Sequence, residues 1–179
     1  MPKENDKYSL WIVPSGDAGK VIQTLVNKLA DENGAPRFVP HLTLVANIFA
    51  DDTEVAKVTR RIKQYSENLE PFRVKLAGYG HMDEEFRCLY LLVESTELQS
   101  VYESLLADFP QISNEHFQAM PHLSVLYGNY PDEKKKQIMV ANPILPVEFM
   151  VNSLDLYLTN IPTESWRLTE TFPLAVRKV

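Results

Sequence analysis

The sequence predicts an α+β protein built from two lobes about a pseudo-two-fold axis, and three features of its 179 residues predict it. Short aliphatic runs alternate with amphipathic stretches of helical period. The order helix, strand, helix, strand pair occurs twice. Within that order one phrase is repeated: Pro40-His41-Leu42-Thr43-Leu44-Val45 returns 81 positions later as Pro121-His122-Leu123-Ser124-Val125-Leu126. No Gly/Ser-rich linker separates the halves, so residues 1–179 are expected to form a single domain of two fused lobes. Outside the repeated phrase the residue identities differ, and the duplication rests on element order and that phrase.

Lys7 to Val13 alternates as a strand and is stopped by Pro14-Ser15-Gly16. From Ala18 to about Asn33, Val21, Ile22, Leu25, Val26 and Leu29 fall at helical spacing, with Gly34 where a C-terminal cap belongs. After the first His strand, Asp51 or Asp52 is suited to cap a helix running from Thr53 to about Asn68, with Val55, Val58 and Ile62 inward. Phe72 to Ala77 reads as a strand, Gly78 to Glu84 as a turn containing His81, and Phe86 to Val93 as a buried return strand carrying Cys88. A third helix starts near Ser95 and ends before Pro110. Gln111 to Met120, with His116, is irregular, and a fourth helix begins at Pro131 and ends at Pro143. Two strands close the chain, Val147 to Thr159 and about Trp166 to Val176.

Composition excludes several classes. With 45% hydrophobic and 23% charged residues the chain is neither disordered nor membranous, and no apolar run approaches the ~20 residues of a membrane span. Met1 to Lys7 lacks the apolar core of a signal peptide, so a cytoplasmic protein, taken as a monomer, is expected. Cys88 is alone, which rules out an intrachain disulfide. A net charge of −6 speaks against a protein that grips a long nucleic acid, because phosphate neutralisation supplies most of that affinity. The dense basic run Lys134-Lys135-Lys136 follows Asp132-Glu133 on a helix and reads as a solvated face.

Side chains two apart on a strand share a face, so each phrase presents one imidazole with one hydroxyl: His41 with Thr43, His122 with Ser124. Leu42 and Leu44 point the other way, into a core. Two facing histidines can divide phosphodiester cleavage, one taking a proton from water and the other giving one to the leaving oxygen. The hydroxyls suit the phosphate oxygens on which charge builds up. The scheme needs no metal or cofactor, and neither histidine has a nearby third ligand. A serine nucleophile fits less well, since no Gly-x-Ser-x-Gly elbow surrounds Ser124. His81 and His116 read as surface residues.

At His41-Leu42-Thr43-Leu44 and His122-Leu123-Ser124-Val125 the chain resembles the 2H phosphoesterase superfamily, which is defined by two His-x-Thr/Ser-x motifs. Tyr8-Ser9-Leu10-Trp11, Pro36 to His41, and Met120 to Tyr127 resemble, within it, the plant and fungal cyclic phosphodiesterases of tRNA-splicing metabolism. The resemblance implies two antiparallel sheets facing a central water-filled cleft, with helices packed outside. It implies hydrolysis of ADP-ribose 1″,2″-cyclic phosphate to ADP-ribose 1″-phosphate, and of nucleoside 2′,3′-cyclic phosphates to 2′-phosphates. It also implies that His41 and His122 are catalytic and that Thr43 and Ser124 bind phosphate. Tyr127 matches a position near the attacking water and Trp11 an aromatic at the cleft, although Trp11 reads equally well as a core residue. The expected order of roles is His122 as base, helped by Tyr127, and His41 as acid. Some plant relatives carry disulfides that cannot form here. The rival expectations are an RNA-end phosphoesterase or 2′–5′ RNA ligase-like protein, and a nucleotide-binding module without turnover.

Overall fold

The computed structural model describes residues 6–108, 121–144, 146–160 and 162–175. Strands β1 (Asp6–Ile12), β2 (Leu42–Ala50), β3 (Phe72–His81), β4 (Leu89–Glu94), β5 (His122–Leu126), β6 (Val147–Val151), β7 (Ser153–Leu158) and β8 (Arg167–Pro173) alternate with α1 (Gly16–Asn33), α2 (Asp52–Ser66), α3 (Leu98–Asp108) and α4 (Asp132–Ala141). Local sequence accounts for most boundaries. Gly34 ends α1 in the left-handed region (φ 64°), its N–H donating to the Ala30 carbonyl. Asp51 starts α2 by accepting from the Thr53 and Glu54 amides, while the Glu54 carboxylate accepts from the Asp51 amide. Ile22, Val26 and Leu29 of α1 and Val58 and Ile62 of α2 are buried as the spacing requires; Val21 instead faces solvent. No helix among the described residues is long and apolar enough to cross a membrane.

The expected pair of separate sheets is corrected. All eight strands form one antiparallel sheet in the order β6-β3-β4-β5-β2-β1-β7-β8. The two His strands meet at its centre through a single residue pair, Leu42 opposite Leu123. Read outward from that seam, each side has a His strand and then three further strands. The sides are not the sequence halves, however. The hairpin β3–β4 sits beside β5, and β7–β8 sits beside β1. The helices are exchanged too: α1 lies against β5 and β6, and α3 against β2.

A second correction divides the expected strand from Val147 to Thr159 at Asn152. β6 is one edge of the sheet, whereas β7 is next to the other edge. Consecutive Cα atoms are ~3.8 Å apart, so a one-residue link forces those regions together at one corner. The sheet must therefore curl, and a curled sheet has a concave side that can hold a cleft.

The third correction concerns the turn expected at Gly78 to Glu84. β3 runs on to His81, and Gly78 (φ 72°) carries a bulge within the strand. The chain then bends and makes a 3₁₀ turn at Glu85–Arg87, so β4 begins at Leu89 and not at Phe86. The Gly128 amide donates to the Glu85 carbonyl, and the Met82 amide to the Arg87 carbonyl. His81, half-buried, has its Nδ1 3.4 Å from Asp132 Oδ1. His116 lies outside the described residues.

Lys135 holds this bend against α4 and corrects the reading of Lys134 to Lys136 as a solvated face. Its side chain is 1% exposed, with Nζ 2.6 Å from Asp83 Oδ1, 2.8 Å from Asp132 Oδ1 and donating to the Met82 carbonyl. Burial draws its pKa down, but the two carboxylates outweigh that and raise it above the ordinary lysine value. Lys134 lies over the Tyr130 ring at 4.5 Å, and Lys136 is exposed. Removing a buried charge partner costs ~3–5 kcal/mol. Here Asp83 and Asp132 remain largely in water, so Lys135→Ala is expected to cost about 2–3 kcal/mol in urea unfolding. Lys135→Met, which keeps the packing, is expected to cost less.

Candidate active site

Trp11, Thr43, His122 and Ser124 reach the site on their strands, while His41 and Tyr127 directly flank strand ends. Trp11 stands opposite Thr43 on one side and Asp155 on the other, and Ser9 stands opposite Tyr157. Opposed residues share a face, so β1, β2 and β7 present these side chains together. His41 precedes β2, and its ring stacks on Trp11 with centroids 3.6 Å apart and planes 8° from parallel. Tyr157 covers the other side of Trp11 at 4.2 Å. Trp11 is 2% exposed and also lines the cavity described below, so it is both a core residue and the bed of His41.

Across the seam, the His122 ring meets the edge of Tyr90 at 5.3 Å. Tyr90 can lie there because its neighbour is Gly80, where a Cβ would stand 2.3 Å from the Tyr90 ring. The Ser124 hydroxyl donates to the Phe86 carbonyl at 2.7 Å. That bond ties the second His strand to the 3₁₀ turn. Tyr127 follows the end of β5, where strict alternation no longer holds, and its ring stacks on Phe38 at 3.8 Å.

His41, Thr43, His122, Ser124, Tyr127 and Trp11 all line one cavity of about 440 Å³, a volume in the range of small-ligand pockets. Sequence reasoning missed several of its other walls. Trp166 stands edge-on to Trp11, His41 and Tyr127, with centroids 5.5–6.2 Å away. Nothing local in a turn sequence marks such a residue. Phe86 and Arg87 enter because the 3₁₀ turn releases them from β4, and Arg87 pairs with Glu84 at 2.6 Å. Asn47, at φ 58°, marks a bulge in β2. Lys7 and Ser9 were accessible by the two-residue period from Trp11. Among the described residues no group of three or more His, Cys, Asp or Glu side chains is placed to hold a metal.

Burial dominates the electrostatics. His41 is 8% exposed, and desolvation pushes its pKa down to about 4; the Val39 carbonyl opposes this and the neighbouring His122 adds to it. The His41 ring is therefore neutral near pH 7. Its Nδ1 lies 2.7 Å from the Val39 carbonyl, which can only accept, so Nδ1 carries the hydrogen and Nε2 a free lone pair. Burial raises the Tyr127 pKa and keeps its phenol protonated. Because the folded value of His41 lies below its unfolded value near 6.5, the associated stability is present above pH ~6.5 and is lost as pH falls toward 4, about 3 kcal/mol in all. A proton NMR titration is expected to place the His41 midpoint near 4 and to move it upward in Trp11→Ala, which admits water to the ring.

The family model described as the 2′-5′ RNA ligase superfamily matches residues 13–160. The chain is similar to a cyclic phosphodiesterase of Arabidopsis thaliana, 26% identical over 178 residues that cover 94% of this chain and 93% of that protein. Its fold resembles the crystal structure of TT0787 of Thermus thermophilus, with a TM-score of 0.71, 17% identity and coverage of 96% and 99%. It also resembles Escherichia coli LigT in complex with 3′-AMP, with a TM-score of 0.64, 15% identity and coverage of 96% and 99%. Two strands that each open at a histidine and meet at one seam, and a family match spanning most of the sequence, lead to one conclusion: the chain belongs to the 2′-5′ RNA ligase superfamily, a branch of the 2H phosphoesterases.

Proposed function

We propose that this protein is a metal-independent cyclic phosphodiesterase acting on a small nucleotide-derived cyclic phosphate. The observation that carries this reading is the convergence of both imidazoles and both hydroxyls on one cavity. The relative named a cyclic phosphodiesterase supports the reaction class, and LigT solved with 3′-AMP, ATP and NADP+ supports a nucleotide ligand. ADP-ribose 1″,2″-cyclic phosphate and nucleoside 2′,3′-cyclic phosphates are the proposed substrates, in the metabolism of tRNA-splicing by-products.

In the proposed reaction the phosphate sits between Thr43 and Ser124. Water attacks phosphorus, one ring P–O bond breaks, and the products are a phosphate monoester and a free ribose hydroxyl. One imidazole removes the proton of the water and the other protonates the departing ribose oxygen. Ser124 must turn its hydroxyl from the Phe86 carbonyl to donate to phosphate; Tyr127 supplies a neutral phenol beside it.

The burial of His41 favours an order of roles opposite to the one expected from sequence. With a pKa of about 4, only about one His41 in a thousand is protonated at pH 7. A donor role would thus carry a penalty of ~4 kcal/mol unless the bound phosphate restored the proton; a base role needs no such protonation, although the same low basicity reduces the driving force for taking a proton from water. His41 is accordingly assigned as base through Nε2 and His122 as acid. The acidic net charge and the cavity walls favour a small ligand over RNA ends; parallel assays on a cyclic mononucleotide and a cyclic-ended oligonucleotide separate those two readings. Tight binding without product would identify a non-catalytic module.

His41→Ala and His122→Ala are each expected to lower kcat by about 10²–10⁴ with the fold intact by circular dichroism, while EDTA leaves the rate unchanged. Near-normal activity in either variant would count against the two-histidine scheme. A p-nitrophenyl phosphodiester needs no proton on its leaving group. It is expected to rescue His122→Ala and not His41→Ala; the opposite ranking would reverse the two roles.

A further inference from the structure

The cavity extends beyond the groups that the reaction uses. On β1, Lys7, Ser9 and Trp11 are two residues apart and share the face that lines it, so Lys7 lies about 13 Å along the strand from the ring that beds His41. The position is rigid. The Lys7 amide donates to Asn160 Oδ1 at 2.8 Å, and the Lys7 carbonyl accepts from the Thr159 amide at 2.7 Å. Ser9 and Thr159, both buried, share a hydroxyl hydrogen bond of 3.2 Å beside it. The bulge of β2, between the residues paired with Tyr8 and Leu10, brings Asn47 into the cavity wall.

Charge distinguishes this end. Arg87, the other long cation of the wall, is neutralised by Glu84, with contacts of 2.6 and 2.8 Å. Among the described residues no carboxylate lies within ion-pair distance of Lys7, in a chain of net charge −6. An ammonium without an ion-paired carboxylate, on a cavity wall that also carries the Asn47 carboxamide, has the chemistry to receive an anion.

We propose that Lys7, with Asn47, forms a second anion subsite that binds a phosphate or diphosphate carried by the same substrate molecule at a distance from the cyclic phosphate. The proposal rests on the phosphodiesterase reading of the centre and narrows its substrate class. A nucleoside with a diphosphate on its far side spans the interval from His41 to Lys7, and a bare cyclic mononucleotide does not.

Binding is measured separately from turnover so that the two ideas can fail separately. Calorimetry compares adenosine 2′-phosphate with adenosine 2′-phosphate 5′-diphosphate. The wild type is expected to bind the second about tenfold more tightly. Lys7→Gln is expected to reduce that preference to less than about threefold, chiefly by weakening the diphosphate ligand, and Lys7→Arg to restore it. Equal affinities in the wild type, or a preference that survives Lys7→Gln, would overturn the subsite, as would equal weakening of both ligands. Hydrolysis of a nucleoside 2′,3′-cyclic phosphate by the wild type tests the parent reading independently: turnover with equal affinities leaves the enzyme without the subsite, and a Lys7-dependent preference without turnover leaves an anion-binding cleft without the enzyme.

Discussion

The stack of Tyr157, Trp11 and His41 is the contact on which the rest of the site depends. Each ring pair contributes ~0.5–1.5 kcal/mol beyond its buried area, but the larger consequence is electrostatic. By covering one face of the imidazole, Trp11 removes water that would otherwise stabilise the imidazolium, and the Val39 carbonyl cannot make good the loss. One hydrogen bond then fixes the tautomer. Position, charge state and the direction of the free lone pair all follow from burying a ring against a flat neighbour on the adjacent strand.

The seam between β2 and β5 has a comparable role for the site as a whole. Leu42 and Leu123 each directly follow a histidine, so the single residue pair that joins the two sides of the sheet also brings the two imidazoles together. Longer pairing would zip the His strands into an ordinary ladder and leave no room between them. One pair fixes the approach and lets the strands diverge. The one-residue link at Asn152 forces the sheet to curl, and α1 and α3 pack on strands across the seam from their neighbours in the chain.

Support for the cleft comes from polar contacts as well as from rings. Lys135, buried beneath two carboxylates, holds the bend that carries Glu84, Phe86 and Arg87, and Ser124 is bonded to the same bend through the Phe86 carbonyl. A disturbance of α4 would therefore reach the second His strand through a short path of direct contacts. At the far end of the cavity the same frame gives Lys7 no carboxylate partner among the described residues.

What the sequence determined by itself was local: the helices, with Gly34 and Asp51 at their ends, most of the strand runs though not all their bounds, and the pairing of each imidazole with a hydroxyl on one face. These depend on backbone conformation and on two- and 3.6-residue periods, which a short window contains. The tertiary structure alone decided that the sheet is continuous, that its sides trade hairpins and helices, that Trp166 and Phe86 wall the cavity, and that Lys135 is buried between acids while Lys7 faces the cavity. Those outcomes depend on which distant strand supplies the next ladder and which side chain it brings into reach. Residues such as Trp11 and Asp155 are 144 positions apart in the chain and adjacent only once the register is set. The depressed pKa of His41 belongs with them, because desolvation is a property of the surroundings and not of the residue.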